Sequence, residues 1–157
     1  MTTTRNKLIR LLLAMTIAMA GNGRADCPAL CSTPAMMGNW RNINTAANSV
    51  TRVNVGFVCG DVRVCDTSGH CTGGETYFTL RPFGKCSPTD CDWGTKRATA
   101  MSDGWQRAIY THSWATKYVW VKTYVYSGIT YLRVYVWTDF TAADGRTDYA
   151  IDEWMRK

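Results

Sequence analysis

The chain runs to 157 residues with 46% apolar and 19% charged side chains, enough for one compact domain and too few for two ordinary ones. Its 13 glycines, 4 prolines and 19 aromatic residues (7 Trp, 8 Tyr and 4 Phe) exclude a low-complexity disordered chain and a collagen-like repeat. The formal charge of +6 is concentrated at the start: without residues 1–20, which hold Arg5, Lys7 and Arg10, 15 basic residues face 12 acidic ones, and a cut after Ala25 also removes Arg24 and leaves +2. So small a surplus gives no electrostatic footing for a nucleic-acid partner.

The basic stretch Arg5 to Arg10 runs into an apolar segment from Leu11 that ends on Ala18-Met19-Ala20, the small-x-small pattern of a signal-peptidase site. A signal peptide is therefore expected within residues 1–25, cleaved after Ala20 or Ala25. The run is well short of the ~20 apolar residues of a membrane helix, and no other stretch approaches that length. The expected mature product is secreted or periplasmic with no membrane span. It begins with a Cys- and Pro-containing arm, residues 26–37, followed by a folded unit over residues 38–157.

Seven cysteines follow the leader: Cys27, Cys31, Cys59, Cys65, Cys71, Cys86 and Cys91. In an exported chain of this size they read as disulfides, and an odd number leaves one thiol over. Cys86 and Cys91 flank Ser87-Pro88-Thr89-Asp90, a type I turn sequence; a hairpin closed by it sets the two sulfurs within bridging reach, with Lys85 opposite Asp92 and Gly84 opposite Trp93. Among the other five cysteines the pairing stays open. Cys59, Cys65, His70 and Cys71 fit no standard zinc spacing, so neither metal nor cofactor is expected. His70 and Cys71, adjacent in an extended chain, point to opposite faces and form no dyad. His112 reads as a strand or loop histidine.

Between Gly38 and Lys157 the apolar residues alternate at period two, as in Val53, Val55 and Phe57, with no helical stripe and no internal repeat. The expectation is an all-β fold: a single antiparallel meander forming a closed or nearly closed eight- to nine-stranded barrel stapled by disulfides. The clearest element is a hairpin over residues 115–138 around Ser127-Gly128, whose opposed positions sum to 255. One face then carries Val119 with Val136, Val121 with Val134, Thr123 with Leu132 and Val125 with Thr130, the expected core side. The other carries Tyr118 with Trp137, Trp120 with Tyr135, Lys122 with Arg133 and Tyr124 with Tyr131. Two cations facing each other inside an aromatic ladder need rings, an acid or a ligand to offset their repulsion, so these eight residues form a candidate ligand-binding face.

Gly38-Asn39-Trp40 opens the β region and Arg156 lies beside its end. This pairing resembles lipocalin- and avidin-like barrels, in which a Gly-x-Trp on the first strand meets a cation from the end of the chain; the resemblance implies that Trp40 and Arg156 close the barrel base. A broader resemblance rests on Gly38-Asn39-Trp40, Cys86-Ser87-Pro88-Thr89-Asp90-Cys91-Asp92-Trp93-Gly94, Leu132-Arg133-Val134, Phe140, Gly145-Arg146 and Tyr149. These segments look like a group of secreted bacterial proteins carrying Cys-His-Pro-Thr-Asp-Cys-Asp-Trp-Gly, with Ser87 here in place of the His; the likeness implies architecture and no particular chemistry.

No convincing nucleophile and base come together, and Asp90 and Asp92 read as turn capping and charge pairing in preference to glycosidase carboxylates. The expected function is an exported, non-catalytic β-barrel that binds a small ligand, a glycan or a protein through its aromatic face, its open end or its bridged tip. The alternatives are an extracytoplasmic hydrolase using Asp90 and Asp92, and an inhibitor-like module presenting the Cys86-Cys91 tip.

Overall fold

The computed structural model of the chain describes residues 31–60 and 63–157; the expected signal peptide and Cys27 lie outside them. The strands are β1 (Gly38–Asn42), β2 (Val50–Val58), β3 (Arg63–Cys65), β4 (Cys71–Gly73), β5 (Tyr77–Gly84), β6 (Cys91–Asp92), β7 (Lys96–Arg97), β8 (Thr99–Ala100), β9 (Gln106–Thr111), β10 (Ala115–Tyr126), β11 (Ile129–Phe140) and β12 (Tyr149–Arg156). Ten of them build one antiparallel sheet in the order β6-β5-β2-β1-β12-β11-β10-β9-β8, with β7 also on β5, while β3 and β4 form a separate hairpin. The sheet exceeds the expected strand number because β6, β7 and β8 are two-residue pieces. Among the described residues no helix is long and apolar enough to cross a membrane.

The sheet curls into a nearly closed barrel. Its two ends are spanned by the segment Lys96 to Ala100, whose first half pairs with β5 and whose second half pairs with β9. Across the same gap the Tyr110 hydroxyl donates to the Leu80 carbonyl at 2.7 Å, and the Ala98 amide donates to Phe78 at 2.8 Å.

The β10–β11 hairpin has the register expected from its turn, from Ala115 opposite Phe140 to Tyr126 opposite Ile129. Ser127 (φ 49°) and Gly128 (φ 76°) both sit at positive φ, the geometry of a two-residue turn whose twist matches that of the strands it joins. Alternation then sends Val119, Val121, Leu132 and Val134 inward, where all four are fully buried together with Trp40, Leu80 and Met155. Aliphatic side chains from β2, β10 and β11 pack around the Trp40 indole, whose Nε1–H donates to the Met36 carbonyl at 2.8 Å, so the arm before β1 is tied into the core.

The cation at the barrel base is Lys157 and not Arg156. Met155 points inward and is fully buried, so period two turns Arg156 outward, opposite Arg41, and brings the next residue back over the interior. Lys157 Nζ lies 4.6 Å from the Trp40 ring centroid and donates to the Ala35 carbonyl at 2.9 Å. Gly38 (φ 137°) makes room for it: a Cβ there would stand 2.9 Å from Lys157 Cε.

Three disulfides join Cys31 to Cys59, Cys65 to Cys71 and Cys86 to Cys91. The expected Cys86–Cys91 bridge is present, but its hairpin has a different register: Phe83 faces Asp92 and Gly84 faces Cys91, and the loop carries a cis Ser87–Pro88 peptide in place of a type I turn. Lys85 therefore does not meet Asp92. Its amide donates to Ser49 on the neighbouring loop, and Asp92 is gripped bidentately by Arg81, with Nε–O distances of 3.0 and 3.1 Å and Nη2–O of 2.5 Å. A planar guanidinium fork matches a carboxylate better than a lysine ammonium does. The Trp93 indole still covers Gly84 as expected, since a Cβ at Gly84 would approach Trp93 Nε1 to 2.9 Å.

Because Trp40 is fully buried and holds the arm, Trp40→Ala is expected to cost about 3–5 kcal/mol of stability, and Trp40→Phe, which keeps most of the ring but drops one hydrogen bond, markedly less. Urea unfolding of the oxidised protein measures both.

Candidate functional site

The aromatic ladder faces outward. Tyr118 and Trp120 stack at 6.0 Å, Trp120 tilts against Tyr135 at 5.6 Å, and Tyr124 meets Trp154 of β12 edge-on at 5.3 Å. Tyr131 faces Tyr124 across the hairpin, and Trp137 is 36% exposed. Lys122 and Arg133 are directly opposed as expected, and their repulsion is met within the protein: Arg133 donates to both Asp152 oxygens at 2.9 and 2.5 Å, while Lys122 Nζ lies 5.3 Å from the Tyr124 ring. Asp152 reaches this position from β12, where it pairs with Tyr135. Arg133 is thus paired within the protein, while Lys122 has a ring beside it and no salt bridge among the described residues.

The unbalanced charge lies inside, at one end of the barrel. One step along the hairpin from Val119 and Val136, the same register sets Lys117 opposite Thr138 on the inward face. Lys117 is buried, Thr138 is fully buried, and Lys117 Nζ donates to Thr138 Oγ1 at 3.0 Å. Three rings surround the ammonium: Trp93 at 5.0 Å, Trp114 at 5.2 Å and Tyr149 at 5.7 Å. Two come from connections and the third from the start of a strand. Trp93 follows β6 and packs edge-on against Tyr110, Trp114 lies in the short β9–β10 turn, and Tyr149 opens β12.

These side chains line a cavity of about 350 Å³ at the barrel mouth, rimmed by Asn48, Ser49, Lys85 and the Cys86–Cys91 bridge, with Val136 and Ile151 below. Its size falls at the lower end of the range for small-molecule sites. His112 lines the same cavity, stacked on Trp114 at 5.2 Å with the rings 14° apart. Trp114 also carries Arg146, 4.9 Å from its ring and bound to Asp144.

Electrostatics single out Lys117. Burial pushes its ammonium below the ordinary lysine value; Tyr149 opposes the shift, and Arg146 adds slightly to it. Among the described residues no carboxylate forms a salt bridge with Lys117, and Asp92, which also borders the cavity, is engaged by Arg81. His112 is likewise held below 6.5, first by burial and then by the Lys117 charge, and among the described residues its buried Nε2 has no hydrogen-bond partner. The mouth therefore combines an apolar, aromatic wall with a cation and a ring nitrogen that lack full partners.

The two carboxylates considered for hydrolysis have other engagements. Asp90 accepts from Thr51 Oγ1 at 2.7 Å, and the Arg81 guanidinium holds Asp92 below the ordinary carboxylate range, the reverse of what a general acid needs. Lys117 could have been found in the sequence by carrying the 255 sum one pair further; Trp93, Trp114 and His112 lie outside the long strands, where no periodicity marks them. No family model, curated protein or solved structure matches the chain.

Removing the buried charge is expected to stabilise the fold: Lys117→Met gains about 1 kcal/mol or more in urea unfolding. The same variant raises the His112 pKa toward 6.5, read by NMR titration of the ring, because one of the two causes of its depression is gone. In the wild type the unfolded chain takes up the His112 proton first as pH falls. The stability that neutral His112 contributes is complete above 6.5 and is lost as pH drops from there through its lower folded value.

Proposed function

We propose that the protein is an exported, non-catalytic β-barrel module whose mouth cavity binds a small, planar, anionic ligand. The reading is carried by Lys117, a buried ammonium that donates to the Thr138 hydroxyl, has the rings of Trp93, Trp114 and Tyr149 around it and, among the described residues, forms no salt bridge with a carboxylate. A buried charge of this kind is costly unless paired, and proteins retain such costs where a ligand uses them. A carboxylate or comparable oxyanion would pair with Lys117, and a flat ring system would lie between the Trp93 and Trp114 walls. Export accords with the basic-apolar leader and with three disulfides in a chain of this size.

The outward ladder supports a second reading, a surface for a macromolecular partner, because Trp105, Trp120, Tyr135 and Met101 border a groove of about 290 Å³ on that face. One titration separates the two. Isothermal titration calorimetry with indole-3-acetate, with indole-3-acetamide as the uncharged control, is expected to show binding of the acid and little of the amide. Lys117→Met and Trp114→Ala should each weaken it roughly tenfold or more, while Trp120→Ala leaves it within about twofold. Equal binding of acid and amide, or a loss confined to Trp120→Ala and Tyr135→Ala, would overturn the mouth assignment.

A further inference from the structure

A second feature, independent of the mouth, lies on the outside of β12, β1 and β2. Arg41 on β1 is in register with Arg156 on one side and Arg52 on the other, so three guanidinium side chains stand in a row across adjacent strands, about 5 Å apart at the backbone. All three point outward, since their neighbours Met155, Trp40 and Val53 are fully buried. The contrast with Arg133 is direct: there Asp152 grips the guanidinium, whereas among the described residues no salt bridge involves Arg41, Arg52 or Arg156, and only Arg52 lies within electrostatic reach of Asp92. Arg52 lies flat on Phe83, 3.7 Å from its centroid, and its Nε has no hydrogen-bond partner.

Beside this row the surface turns apolar without a break. The outward residue preceding Arg156 on β12 is Trp154, 41% exposed, which packs on Tyr124; Ile43, just beyond β1 and joined to Trp154 by its amide, is 52% exposed. From there the patch runs onto the β10–β11 tip, where Tyr126 is 75% exposed; Val125, on the expected core side, is 71% exposed because neither β9 nor β12 pairs this far along the hairpin. Together with Tyr131 these side chains border an open hollow of about 370 Å³.

We propose that this face docks the protein on an anionic lipid bilayer, the arginines meeting lipid phosphates while Val125, Tyr126, Ile43 and Trp154 enter the headgroup region. Exposed aliphatic groups on a protruding hairpin tip suit insertion at the acyl boundary, where Trp and Tyr are favoured and arginine reaches the phosphates. A soluble polyanion would satisfy the arginine row and leave the tip in water; a lipid surface satisfies both. The charge complementarity and the adjoining apolar tip belong to one continuous face, and that continuity selects the bilayer.

The test is co-sedimentation of the whole exported protein with vesicles of phosphatidylcholine alone and of phosphatidylcholine containing about 30% phosphatidylglycerol, at low and high salt. The expected result is binding to the anionic vesicles only, diminished by salt and weakened roughly tenfold or more both by Arg41→Gln with Arg156→Gln and by Val125→Ser with Tyr126→Ser. Unchanged far-ultraviolet spectra would show that these exposed positions leave the fold intact. Equal binding to both vesicles, capture by a sulfated oligosaccharide with no vesicle binding, or a lipid-free dimer that dissociates on Tyr126→Ser would each overturn it. Indole-3-acetate titration of the same variants reads the mouth separately, so failure of either assignment is seen without the other.

Discussion

A two-residue turn with both central residues at positive φ locks β10 and β11 into a single register, and most of the molecule follows from that lock. A slip by one residue would carry Val119, Val121, Val134 and Val136 to the solvent side and bring Trp120, Tyr135 and two cations into the interior, which the Trp40 core has no room or charge to receive. With the register held, β9 and β12 add to the two edges of the hairpin, and the inward row continues past the valines to Lys117. The same alternation that builds the core places the ammonium.

The barrel interior is accordingly divided along its axis. At the base, Trp40, Leu80, Leu132 and Met155 fill the space, and Lys157 covers the indole from below. Toward the mouth the filling stops, and rings from two connections and the first residue of β12 line an opening around one cation. Packing is concentrated in one half and the proposed binding site in the other, an arrangement in which a buried charge is tolerated because the packed half can sustain its cost.

Where periodicity was strong, the fold was legible. The all-β class, the hairpin register, the buried valine face and the Cys86–Cys91 bridge all follow from local pattern, whereas the closure of the sheet does not. Lys96 to Ala100 is too short to read as a strand, yet it pairs on both sides, and only the curvature of the whole sheet brings β5 and β9 to within its reach. Asp92 illustrates the same limit: sequence proximity favoured Lys85 as its partner, but a two-residue difference in register and the fork geometry of Arg81 decided otherwise. The arginine row was hidden because Arg41, Arg52 and Arg156 come together only when the first and last strands pair, a contact between chain ends that no local signal encodes.

The strap from Lys96 to Ala100 has a dynamic consequence. Each of its two ladders is two residues long, against twelve paired positions in the β10–β11 hairpin, so far fewer hydrogen bonds must break to part the wall at that seam than along that hairpin; the β1–β12 ladder, with two paired positions, is comparably thin. Amide hydrogens there belong to the low-energy end of the opening spectrum, and the cylinder unzips along this line before its main hairpin frays. Breathing of the wall at the strap would give the interior a side door distinct from its mouth.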